Sequence, residues 1–145
     1  MCGLVGIITK LQSGLYGHHM DLFEEMLIAG SLRGMDSTGA FMVKKKNTVD
    51  VIKHDTHPLN LIASSGWGRF KSAATRDGTI IVGHNRKKTV GEVKDETAHP
   101  FVINNRYAFV HNGTLYNHKH LADTEVDSEA LGIHLTKCNG NIGEL

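Results

Sequence analysis

The first eight residues constrain this chain most strongly. Gly3-Leu4-Val5-Gly6-Ile7-Ile8 is an apolar, β-branched run, short for a helix and suited to a buried strand. Cys2 stands directly before it, so a thiol sits at the mouth of a core element. Removal of Met1 makes Cys2 the terminal residue and joins two catalytic parts in it. The sulfur is an intrinsically strong nucleophile. The α-amino group has an ordinary pKa of roughly 7.7–8.0, close to the optimum for a general base at neutral pH. A terminal amine acting as base for its own side chain is an established form of nucleophile activation. Taken alone, a cysteine beside an initiator methionine is an ordinary residue; the rest of the chain gives it a context.

The remaining elements follow from periodicity. Strand 1–8 leads into a glycine-containing loop, 9–19. Residues 20–29 carry Leu22, Phe23, Met26, Leu27 and Ala29 at helical spacing, with Gly30 placed to end the helix. Residues 33–39 form a polar loop bracketed by glycines. Strands are predicted at 40–43 and 48–53, joined by the Lys44-Lys45-Lys46 turn, and at 79–84 and 107–111. A short helix is predicted near 59–65, and 66–78 has mixed character. The segments 90–99 and 115–121 lack periodicity, and a helix runs from 127 to about 137 with Asp127 or Ser128 as its cap. Several loops follow core strands directly, which is where functional sites are built.

Composition narrows the function. The chain has 145 residues, enough for one domain with a real core, and 40% hydrophobic and 21% charged residues, an ordinary globular balance. A net charge of +1 gives no electrostatic case for nucleic acid or an anionic membrane as partner. No signal peptide or membrane span is legible. Two cysteines, Cys2 and Cys138, make no disulfide framework and fit a reducing cytoplasm. Ten histidines are scattered; His111, His118 and His120 lie close together but lack the partners of a structural zinc site.

Read in order, six motifs resemble the class II, or N-terminal nucleophile, glutamine amidotransferases. They are Met1-Cys2-Gly3-Leu4-Val5-Gly6, Arg33-Gly34-Met35-Asp36-Ser37-Thr38-Gly39, Gly83-His84-Asn85-Arg86-Lys87-Lys88-Thr89, Ala98-His99-Pro100-Phe101, Val110-His111-Asn112-Gly113-Thr114-Leu115-Tyr116-Asn117 and Glu125-Val126-Asp127-Ser128-Glu129. The Arg33-to-Gly39 loop looks most like the glucosamine-6-phosphate synthase branch, with the amidophosphoribosyltransferase branch next. The resemblance implies an α+β fold, an αββα sandwich of two stacked antiparallel sheets, here shortened at the C-terminus. It implies a single glutaminase domain over 1–145 with no synthase domain, acting on L-glutamine without a cofactor or metal.

The implied roles have physical grounds. Cys2 attacks the carboxamide. The Asn112 side-chain amide and the Gly113 N–H stabilise the resulting oxyanion, although Asn-Gly is also a strong hairpin turn. A glutamine site must pair both backbone charges of its ligand, since an unpaired desolvated charge is expensive. Arg86 offers a fork for the α-carboxylate, with Thr89 beside it. Asp127 offers a carboxylate for the α-ammonium, and His99 lines the pocket. Arg33 and Asp36 support the nucleophile strand as a buried pair. The chain departs from the family pattern at Asn85, where threonine is usual, and at Lys87-Lys88, where Trp-Ala is usual.

Other readings stay open at this point: an N-terminal nucleophile amidohydrolase acting on a different amide, a catalytically degenerate binding domain, and a histidine metal site. The early end of the chain leaves a truncated product, a compact version or a fragment of a longer protein. An exposed sheet face implies a second copy or a synthase or acceptor partner that uses the ammonia.

Overall fold

A computed structural model describes residues 2–10, 14–89, 91–104 and 107–138. Four strands, β1 (Gly3–Ile8), β2 (Ser37–Lys44), β3 (Val49–His54) and β4 (Gly78–Arg86), form an antiparallel sheet in the order β1-β4-β2-β3. A two-stranded antiparallel hairpin, β5 (Phe101–Ile103) and β6 (Tyr107–Phe109), stands apart from it. The helices are α1 (Gly17–Gly30), α2 (Pro58–Ile62), α3 (Ser65–Asp77) and α4 (Asp127–Lys137). The architecture is α+β. Among the described residues, no helix is long and apolar enough to cross a membrane.

Strand pleating divides the sheet into two faces. Val5 and Ile7 of β1, Ala40 and Met42 of β2, and Ile81 of β4 lie on one face, which α1, α2 and α3 cover. Helix α1 presents Met20, Phe23 and Leu27 to this core, and α3 presents Trp67, Phe70 and Ala74. A fully buried side chain of this size stabilises by about 1.5–3 kcal/mol. The Trp67 Nε1–H donates to Glu24 Oε1 at 2.6 Å, and Lys71 bridges Glu24 and Asp21, so α3 is also pinned to α1 by polar contacts. Ser64 caps α3 by accepting from the Trp67 N–H at 3.1 Å.

The opposite face carries Leu4, His84, Gly39 and Lys53 in adjacent register. Residues 98–101 lie across its β2–β3 side: Lys53 Nζ donates to the Ala98 carbonyl at 2.8 Å and stands 4.9 Å from the Phe101 ring centre. Gly39 permits this approach, because a Cβ there would meet the His99 carbonyl oxygen and the Lys53 Cβ. At the β1 edge the same face is open to solvent, with Leu4 at 51% and Ile8 at 75% exposure.

Several elements are longer than predicted. Ser37, Thr38 and Gly39 extend β2, and Asn85 and Arg86 extend β4, because these two segments pair with each other. Ladder hydrogen bonds override the turn preference of the polar and glycine residues. The mixed region 66–78 contains most of α3, whose Gly66 and Gly68 mask the pattern. Gly30 is the last helical residue of α1, and Ser31 after it stays right-handed, so no left-handed cap ends the helix. The cap of α4 is Val126, not Asp127 or Ser128.

Candidate active site

Cys2 lies where β1 begins, and three segments converge on it. Its N–H donates to Asn112 Oδ1 and its carbonyl accepts from Asn112 Nδ2, each at 3.2 Å. Arg33 Nε donates to the same carbonyl at 2.9 Å. The Lys87 N–H donates to Cys2 Sγ at 3.3 Å, and the thiol faces the Lys87 carbonyl at 3.7 Å. The sulfur is therefore held against the main chain just beyond β4, while the asparagine fixes the cysteine backbone.

The Arg33–Asp36 loop is tied to the end of β4. The Asp36 N–H donates to the Arg86 carbonyl at 3.0 Å, and its Oδ2 accepts from the Lys88 N–H at 2.7 Å. Gly34 makes the contact possible, since a Cβ would come within 2.5 Å of the Arg86 carbonyl carbon and the Lys87 nitrogen. Asp36 and Arg33 do not form the expected buried pair: Arg33 is exposed, because it reaches across the surface to the Cys2 carbonyl.

Arg86 is buried, although it ends β4 beside two exposed lysines. Its Nη1 donates to the Glu92 carbonyl at 2.9 Å and to Thr97 Oγ1 at 3.1 Å. Burial pushes its pKa down, opposed by nearby Cys2 and by the carboxylates of Asp127, Asp36 and Glu125; a guanidinium still stays charged. Asp127 is also buried, with Oδ2 accepting from the Leu115 N–H and Oδ1 from the Ser128 N–H, both at 2.8 Å. Its carboxylate thereby organises the turn that follows Asn112-Gly113. Ser128 Oγ lies 3.0 Å from His111 Nδ1.

A cavity of about 290 Å³ opens beside the thiol, lined by Cys2, Lys87, Thr89, Asn112, Gly113, Thr114 and Tyr116. Among the predicted site residues, Cys2, Asn112, Gly113 and Thr89 therefore come together on one wall. Arg86, Asp127 and His99 stand outside that lining. His99 is buried, and its ring lies tilted against His84 with the ring centres 4.1 Å apart. A larger hollow of about 650 Å³ lies between β3 and α3, but its lining, from Val49–His54 to Phe70 and Ala73, holds no cysteine, serine or threonine. Of the histidines considered for a metal, His118 Nδ1 lies 3.0 Å from the Leu115 carbonyl and His111 Nδ1 lies 3.0 Å from Ser128 Oγ; among the described residues no group of three or more His, Cys, Asp or Glu side chains could hold a metal ion.

Sequence reasoning missed three contributors. The Lys87 amide on the sulfur leaves no sequence signal, since every non-proline residue has one. Thr97, which holds Arg86, sits in a loop without periodicity. Tyr116, a cavity wall at 94% exposure, was hidden in a segment of uncertain structure.

No family model matches the chain. Among curated proteins, the chain is 28% identical over 165 residues to a glutamine–fructose-6-phosphate aminotransferase of Wigglesworthia glossinidia brevipalpis, covering 100% of this chain and 24% of that protein. It is 32% identical over 122 residues to the enzyme of the same name from Staphylococcus aureus, and 31% identical over 127 residues to that of Idiomarina loihiensis, covering 83% and 85% of this chain. The chain spans about a fifth of the length of these relatives. A solved complex of a β-clamp processivity factor and the little finger domain of PolIV aligns over 63% of the chain at a TM-score of 0.43 and 8% identity, too low to show a shared fold. The aminotransferase matches cover most of this chain at 28–32% identity, and the chain belongs to the class II glutamine amidotransferase family.

Proposed function

We propose that this chain is a glutaminase domain whose N-terminal Cys2 hydrolyses L-glutamine to glutamate and ammonia. The observation that carries this reading is the convergence of Cys2, the Asn112-Gly113 turn and the Lys87 amide on one small cavity. With Met1 removed, the free amine of Cys2 takes the thiol proton as sulfur attacks the carboxamide carbon. The oxyanion is stabilised by the second N–H of the Asn112 amide, which has two donors, and by the Gly113 N–H. The intermediate collapses, the ammonium of Cys2 returns its proton to the leaving nitrogen, and ammonia departs. Water then attacks the γ-glutamyl thioester and releases glutamate and the thiol. Arg86 and Asp127 bind the α-carboxylate and α-ammonium, with Thr89 and His99 contributing to the pocket.

The same reading extends to the whole. The hairpin β5–β6 with α4 behind it is the second layer of an αββα sandwich within a single domain, 1–145. The ammonia is used at a synthase or acceptor site on a partner, in the cytoplasm. The relatives' printed activity, aminotransfer to fructose-6-phosphate, names one such acceptor.

A second reading, an amidohydrolase acting on another side-chain amide, draws on the position of Arg86 and Asp127 away from the cavity wall. D-glutamine and γ-aminobutyramide separate the two: slow turnover supports α-substituent recognition, and turnover equal to L-glutamine supports the second reading. The mechanism itself is tested at the terminus. A protein with an uncleavable extension before Cys2 should be inactive. The same protein cut to expose Cys2 should release equal amounts of glutamate and ammonia and be labelled at Cys2, not Cys138, by diazo-oxo-norleucine. Full activity of the extended form would sink the mechanism.

A further inference from the structure

His84 is almost fully buried on β4, where it faces away from the helices and lies opposite Gly39 of β2. Its Nε2 stands 3.1 Å from the carbonyl oxygen of His111, the residue before Asn112. A carbonyl only accepts, so Nε2 carries the proton. Nδ1 has no hydrogen-bond partner among the described residues. Placing the proton there instead would bury an unpaired N–H and turn a lone pair toward the carbonyl, two penalties at once. The tautomer is therefore set by the surroundings.

We propose that His84 is a positioning residue, whose Nε2–H fixes the His111 carbonyl and through it the Asn112-Gly113 donors that face Cys2. The inference rests on the reading of that turn as the oxyanion site. Strand β6 ends at Phe109, so no strand ladder holds residues 110–113. The turn is anchored by side chains instead. His84 holds the His111 backbone from β4, Ser128 Oγ engages the His111 ring from α4, and Asn112 pairs with the Cys2 backbone. The His84 ring is itself packed at a tilt against His99, whose ring meets Phe101 edge-on at 4.9 Å between centres. Arg86 lies two residues further along β4, on the same side of the strand. One strand thus sets both the oxyanion turn and the guanidinium assigned to the α-carboxylate.

His84→Phe keeps a ring of similar size and removes the donor. A donor pair displaced by a fraction of an ångström should lower kcat for glutamine hydrolysis by about 10- to 100-fold, with KM changed by less than about threefold because ground-state binding is made elsewhere. His84→Gln can still donate and should recover most of the loss. A Gln variant no better than Phe, an unchanged kcat in the Phe variant, or a rise in KM alone overturns the proposal. Nitrogen-15 NMR of the wild-type imidazoles gives a readout independent of how the variants fold. A neutral Nε2–H tautomer at neutral pH is expected, and an Nδ1–H or cationic ring overturns it. Asn112→Ala in the same assay separates the two levels. If it leaves kcat intact, the oxyanion reading falls; if it lowers kcat and His84→Phe does not, only the positioning role falls.

Discussion

Acidification should weaken this fold before its carboxylates titrate, through two buried histidines. Burial pushes the His84 pKa down to about 4; the His111 carbonyl opposes the shift, and nearby Arg86 and His111 add to it. Burial pushes His99 down to about 2, with the positive fields of His84, Arg86, His111 and Lys53 acting in the same direction. Both rings are neutral in the folded protein, whereas in the unfolded chain they protonate at about 6.5. The unfolded state therefore binds protons first, and stability falls as pH drops below about 6.5. Neither ring contributes above about pH 7.5, where both states are neutral. At about pH 5 each ring has lost about 1.5 pH units at 1.36 kcal/mol per unit, so the pair costs about 4 kcal/mol. That is a large share of the roughly 5–15 kcal/mol that holds a domain folded. Urea unfolding at about pH 7.5 and pH 5, with the slope checked for constancy, measures the loss. His99→Leu removes one of the two titrations and should halve it. A wild-type difference below about 1 kcal/mol over this interval would refute the burial argument for both rings.

Other outcomes follow from single contacts. Arg86→Ala should raise KM for glutamine, with a loss of about 2–5 kcal/mol as for a severed buried charge pair; steady-state kinetics check it, and an unchanged KM removes Arg86 from substrate binding. Asn112→Ala should lower kcat by roughly 10²–10³-fold with little change in KM. If melting temperature falls while kcat holds, the turn is structural only. Gly39→Ala drives a methyl into the His99 carbonyl and the Lys53 Cβ, so it should cost more than about 3 kcal/mol in thermal or urea unfolding. A neutral result would mean that residues 98–101 do not rest on β2.

The chain announced its strands more clearly than their ends. Val5, Ile7, Met42 and Ile81 alternate or cluster in a way that only a half-covered sheet satisfies. Ser37-Thr38-Gly39 and Asn85-Arg86 read as loop because their composition favours turns, and only their mutual pairing makes them strand. In α3 the apolar residues Trp67, Phe70 and Ala74 have helical spacing, but two glycines in the first turn obscure them. At the candidate site, Cys2, Asn112, Gly113 and Thr89 are singled out by the ordered motifs they belong to, and the structure lines one cavity with them. Arg86 and Asp127 were legible as charges, but not their burial or their partners Thr97 and Leu115. Those depend on where distant segments cross, which no local pattern encodes.

The Lys87-Lys88 departure illustrates the same division between side chain and main chain. A pair of lysines where the family has Trp-Ala suggests a damaged loop. Yet the contacts that hold this loop to the site are main-chain contacts. The Lys87 N–H reaches Cys2 Sγ, the Lys88 N–H reaches Asp36, and the Arg86 carbonyl accepts from the Asp36 N–H. Any non-proline residue supplies those amides, so the approach of the loop to sulfur survives the substitution. Both lysine side chains are exposed, and Lys87 forms part of the cavity wall with its ammonium 3.8 Å from Asp36. What the substitution alters is therefore the mouth of the cavity, where a flexible cation replaces a rigid apolar ring. The main-chain contact that places the thiol does not depend on these side chains. On the proposed glutaminase reading, the departure favours release of ammonia to solvent over guarded transfer, while the Lys87 amide still reaches the Cys2 sulfur.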